Sequence, residues 1–122
     1  MTQATPRLSP ADLQQFIGTE NWYRSINPAV SYTDGAKYVA DQGGAYWLLD
    51  EIALAQRFQS TVRDETFQVW TLCVKPDRSA RLACDDGNGR VVFAKTIPYT
   101  DFPLPAFRLY CTDQVILLPS EY

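Results

Sequence analysis

GGAYWLLDEIALAQRFQSTVRDETFQVWTLCV, residues 43–74, changes its hydrophobic period part-way along, and that change decides the fold. Placed on a helical wheel at about 100° per residue, Ala45, Leu48, Leu49, Ile52 and Ala55 form one apolar stripe. Trp47, Leu54 and Phe58 form a second stripe opposite it. Two stripes need two neighbours, so residues 43–58 read as a central helix with a sheet on one side and shorter helices on the other. Asp50 and Arg57 share the polar wedge, while Glu51 and Gln56 border the stripes. From Thr66 the period is 2. Phe67, Val69, Thr71 and Cys73 alternate with Gln68, Trp70, Leu72 and Val74, the pattern of a strand.

Upstream of this stretch, Thr33 stands as an N-cap for a helix running to about Gln42, with Asp34 in its first turn, and Gly43-Gly44 stops it. Ser9-Pro10-Ala11-Asp12 reads as an earlier helix start, with Leu8 stapling the first turn and Gly18 ending the helix. Thr19 to Arg24 reads as one or two helical turns broken by Asn27-Pro28. Downstream, Pro76–Ser79 and Asp85–Gly89 are turns between the strands Thr66–Val74, Ala80–Cys84 and Val91–Ile97. A proline-bearing loop, Thr100–Pro105, then leads to a hairpin of Phe107–Cys111 and Val115–Leu118. The expectation is one α+β domain over residues 1–122. Its N-terminal helices, within 9–58, pack on one face of a C-terminal antiparallel sheet of about four to five strands, within 66–118.

Composition narrows the chemistry. The chain has 122 residues, is 46% hydrophobic and 13% aromatic, and carries a net charge of −3. There is no histidine, which excludes the usual zinc sites and the Ser-His and Cys-His catalytic pairs. Cys73, Cys84 and Cys111 form no CxxC pair and read as reduced core thiols. No apolar run has the length of a membrane span or a signal peptide, so the expected location is the cytoplasm, away from membranes. The run Asp85-Asp86-Gly87-Asn88-Gly89 lacks the ligand spacing of a calcium loop, and no cofactor or metal site is read anywhere.

Three functional readings remain. The first is a non-enzymatic interaction module that binds a protein partner. It rests on a surplus of aromatic residues and names Trp22, Tyr23, Arg24 and Tyr38, residue types that dominate protein–protein hot spots. The second is a small enzyme using carboxylates, with or without magnesium, built from Asp34, Asp50 and Glu51. The third and weakest is nucleic-acid binding through a basic hairpin of Arg78, Arg81, Arg90 and Lys95, against a whole-chain charge that gives no nucleic-acid footprint.

The strings GTENWYR, YTDGAKYVADQGGAYWLLDEIALAQ, FQVWTLCV, CDDGNG, TDFP and LLPSEY resemble a family of small bacterial, plasmid and phage proteins classed as a domain of unknown function. The resemblance spans nearly the whole chain and implies one complete domain. It brings no activity and no catalytic residue. It implies an accessory role on a mobile element, such as binding or inhibiting a host or defence factor.

Overall fold

The computed structural model describes residues 8–122, so the polar opening read over residues 1–7 lies outside the described residues. In chain order the elements are α1 (Pro10–Leu13), β1 (Trp22–Arg24), β2 (Ser31–Thr33), α2 (Asp34–Gly43), α3 (Tyr46–Phe58), α4 (Ser60–Arg63), β3 (Phe67–Val74), β4 (Ala80–Asp85), β5 (Val91–Ile97), β6 (Ala106–Thr112) and β7 (Val115–Leu117), closed by a 3-10 turn at Pro119–Glu121. The strands form one seven-stranded sheet in the order β1-β2-β7-β6-β3-β4-β5.

The C-terminal meander follows the alternation of the sequence. β3 pairs antiparallel with β4 and with β6, and β4 with β5. The expected four to five strands become seven because the N-terminal half contributes two. Trp22–Arg24, expected to be helical, is a strand paired antiparallel with Ser31–Thr33. Nor is the sheet purely antiparallel, since β2 runs parallel to β7, with Ser31 beside Val115 and Tyr32 beside Ile116. Two short extended segments rich in aromatic and β-branched residues gain more from completing a sheet than from an isolated helical turn.

Caps hold the helices where expected. Ser9 Oγ accepts from the Asp12 N–H at 3.3 Å, and Thr33 Oγ1 from the Ala36 N–H at 3.2 Å. Gly44 ends α2 in the left-handed region at φ 61°, where a side chain is disfavoured. α1 stops at Leu13, short of Gly18: Ile17 is 84% exposed, so no buried face sustains further turns.

The core is one cluster. Ala45, Leu48, Leu49, Ile52 and Ala55, the main stripe of α3, pack with Val39 and Ala40 of α2 and with Trp70, Leu72, Leu82, Leu109 and Ile116 of the strands. The second stripe is not covered as expected. Trp47 and Leu54 are half-buried, and Phe58 is exposed beside the Arg57 guanidinium, 5.6 Å from its ring. Two glutamines are buried because they satisfy each other. Gln56 Nε2 donates to Gln68 Oε1 at 2.7 Å, Gln68 Nε2 returns a bond to Gln56 Oε1 at 2.8 Å, and Trp70 Nε1 donates to Gln68 Oε1 at 3.0 Å. Tyr46 and one of the three thiols expected in the core lie outside it. Tyr46 is exposed and donates its hydroxyl to Asp41, and Cys73 is exposed. No helix among the described residues is long and apolar enough to cross a membrane.

Candidate functional site at the β1 edge

Among the described residues β1 is an edge strand, bonded only to β2. The Ser25 N–H donates to the Val30 carbonyl at 3.0 Å, which fixes the alternation of this hairpin. Tyr23 therefore faces Tyr32 as a hydrogen-bonded pair, and the main-chain groups of Trp22 and Arg24 point to the open edge. The Ser31 N–H, opposite Arg24, points the other way and donates to the Gln114 carbonyl on the β7 side at 2.9 Å. The side chains alternate as well. Trp22 is 61% exposed and Arg24 is exposed, whereas Tyr23 is half-buried.

Asp34 sets this geometry. Its carboxylate accepts from the Glu20 N–H at 3.0 Å, the Asn21 N–H at 3.3 Å, the Asn21 side-chain amide at 3.3 Å and the Tyr23 hydroxyl at 2.9 Å. Its own N–H donates to Thr19 Oγ1 at 2.9 Å. One carboxylate thus clasps the segment entering β1. The Glu20 N–H contributes most to holding its pKa down, from 3.8 to about 2, against the opposing effect of burial. The bond that the Tyr23 hydroxyl donates to this carboxylate raises the hydroxyl's pKa above its ordinary value. Tyr23 is pinned further by stacking on Tyr32, centroids 5.5 Å apart, with Lys37 Nζ 5.6 Å from its ring. Asn27 ties the hairpin to the central helix by donating its amide to the Ala53 carbonyl at 3.0 Å.

The four residues read as a partner surface therefore divide. Trp22 and Arg24 are presented outward and Tyr23 anchors them. Tyr38 packs on Phe16, centroids 5.1 Å apart, and lines an open hollow of about 490 Å³ with Asp34, Lys37 and Asp41. Sequence reasoning missed Ile26, which is 59% exposed and follows Trp22 and Arg24 at the same two-residue spacing. That spacing was the available signal.

The carboxylate trio is not gathered. Asp34 belongs to the clasp, and Glu51 pairs with Lys95 at 2.9 Å, tying α3 to β5. Asp50 is half-buried on α3 and makes no side-chain hydrogen bond among the described residues. No group of three metal-ligating side chains occurs among the described residues. The basic hairpin also disperses. Arg78 donates to the Thr100 and Phe102 carbonyls at 3.0 and 2.8 Å, Arg90 pairs with Glu65 at 3.4 Å, and Lys95 is held by Glu51. Burial pushes the Cys84 and Cys111 thiols up to about 12, which keeps them protonated and unreactive.

Fold and site define a small α+β domain with a mixed sheet and an exposed, clasped edge hairpin. The chain belongs to the family of unknown function DUF6876, whose model matches residues 7–122. No curated protein and no solved structure matches it.

Proposed function

We propose that this protein is a non-enzymatic interaction module that binds a protein partner at the β1 edge, with the helices covering one face of the sheet. The observation that carries the reading is the placement of Trp22: a large aromatic, 61% exposed, on an edge strand whose neighbouring residue Tyr23 is fixed by Asp34 and Tyr32. A rigidly held tryptophan beside an arginine buries much area at small entropic cost. The open main-chain groups of Trp22 and Arg24 invite strand addition by an extended segment of the partner. The family resemblance supports an accessory role on a mobile element, with a host or defence factor as the partner class.

The test uses the full chain to recover a stoichiometric partner from the native host, followed by calorimetric titration of purified variants. Trp22→Ala and Arg24→Ala are expected to keep the melting temperature within a few degrees and to weaken binding by about 1 kcal/mol or more, roughly fivefold upward. Unchanged affinity in both variants overturns the reading. So does a loss of affinity that only follows unfolding.

A further inference from the structure

The strands carry a charge balance opposite to that of the whole chain. Among the seven strands the basic residues are Arg24, Arg81, Lys95 and Arg108, and the single acidic residue is Asp85. Lys95 is neutralised by Glu51, and Asp85 turns its carboxylate to the Gly87 N–H at 2.7 Å. Arg24, Arg81 and Arg108 are exposed, and none of them takes part in an ion pair or a side-chain hydrogen bond among the described residues.

Register places these three on one side of the sheet, the side that alternates with Trp70 and Leu72. Arg24, Ser31, Val115, Thr112 and Phe67 follow one another across five strands as register partners. Arg108 pairs with Thr71, and Arg81 pairs with Cys73 one step further along β3. The arginines therefore lie on a diagonal, with gaps of roughly 20 Å and 12 Å at about 4.8 Å per strand and 3.4 Å per residue. Beside the diagonal, Phe67, Tyr110 and Tyr122 form a ring cluster with centroids 4.9, 5.2 and 5.6 Å apart, and Tyr122 is 74% exposed. Of the aliphatic residues of this side, Val69, Ala83 and Leu117 are buried, Val115 is half-buried, and the small Ala94 and Ala106 are exposed. What the side presents is chiefly guanidinium, aromatic ring and threonine hydroxyl, groups that can contact phosphate and base together.

We propose that this side of the sheet binds single-stranded nucleic acid, with phosphates on the Arg24–Arg108–Arg81 diagonal and unpaired bases stacked on Tyr122 and Tyr110. Guanidinium groups engage phosphate oxygens in bidentate fashion, and ring stacking tolerates any base while requiring that it be unstacked from a duplex. The proposal goes beyond the partner reading and does not depend on it, because Arg81, Arg108 and Tyr122 lie outside the β1 edge.

Fluorescence anisotropy of the full chain tests it, with labelled oligo(dT) and oligo(U) of about twenty nucleotides, a duplex of the same length and labelled polyglutamate as probes. Saturable binding of a single strand is expected, with the logarithm of affinity falling against that of salt at a slope of about −2 for three phosphate contacts. Arg81→Ala and Arg108→Ala should each remove about 0.7 of that slope, and Tyr122→Ala should weaken binding about fivefold or more. A preference between the two single strands assigns the ligand to DNA or RNA. The proposal is overturned by absent single-strand binding at low salt, by a slope that both arginine variants leave unchanged, or by duplex or polyglutamate bound as tightly as the single strand. If Arg108→Ala loses its fold, Arg81→Ala decides on the same criterion.

Discussion

Asp34 is the residue on which the candidate site turns, and its chemistry gives the site a pH dependence of known sign. Its folded pKa, about 2, lies below the ordinary 3.8 because the Glu20 N–H, the Tyr23 hydroxyl and the Asn21 donors all favour the carboxylate. The unfolded chain then binds more protons in this range, so the clasp's contribution to stability is fully present above about pH 4 and is lost as pH falls through 2. Asp34→Asn cannot ionise. The melting temperature of the wild type should exceed that of the variant near neutral pH, and the gap should close progressively between pH 4 and 2. A gap that persists unchanged to pH 2 would show that the carboxylate charge contributes nothing. Asp34 reads from the sequence as a first-turn helix acid, and it is one. The donors that reach it come from Glu20 and Asn21 in an irregular segment and from Tyr23 in a strand of three residues, neither long enough or regular enough to carry a periodic signature, which is why the clasp was not legible.

At the scale of elements, the hairpin β1–β2 was the least legible part of the fold and the most consequential. Three residues on each side give too few alternations to separate a strand from a helical turn, and the Thr19 cap with Asn27-Pro28 beyond it imitates helix boundaries. The parallel pairing of β2 with β7 joins segments some eighty residues apart in sequence, and no local pattern announces such a contact. By contrast α2, α3 and the antiparallel strands β3 to β6 were readable because each is long enough to repeat its period. Asn27 supports the hairpin on α3: its amide donates to the Ala53 carbonyl, its Oδ1 accepts from the Ala29 N–H at 3.1 Å, and it is 8% exposed. Asn27→Ala removes the bond to the Ala53 carbonyl and the acceptor of the Ala29 N–H, and the loss of the two should cost about 1–3 kcal/mol in denaturant unfolding. Faster amide exchange at Tyr23 should accompany the loss. An unchanged midpoint would mean that the hairpin holds its place without α3.

For the molecule as a whole, the two halves that the sequence separates into helices and sheet are stitched together at the β2–β7 pair. Glu121 reinforces this by accepting from Thr33 Oγ1 at 2.6 Å, the Gly35 N–H at 3.1 Å and the Leu118 N–H at 2.9 Å. Gly35 leaves room for this carboxylate: an added Cβ would stand 2.5 Å from Glu121 Oε1 and 2.7 Å from Leu118, so a side chain there must displace them. The consequence is a sheet whose first strand is held firmly from behind while its outer main chain stays open. The measurement that tests the interaction reading most directly is hydrogen exchange of the Trp22 and Arg24 amides, free and in complex with the partner recovered from the native host. Both amides point to the open edge, so they should exchange fast in the free protein and slow at least tenfold on binding, while the inward Tyr23 amide changes little. Protection confined to α2 and α3, with Trp22 and Arg24 exchanging as fast as before, would contradict the account.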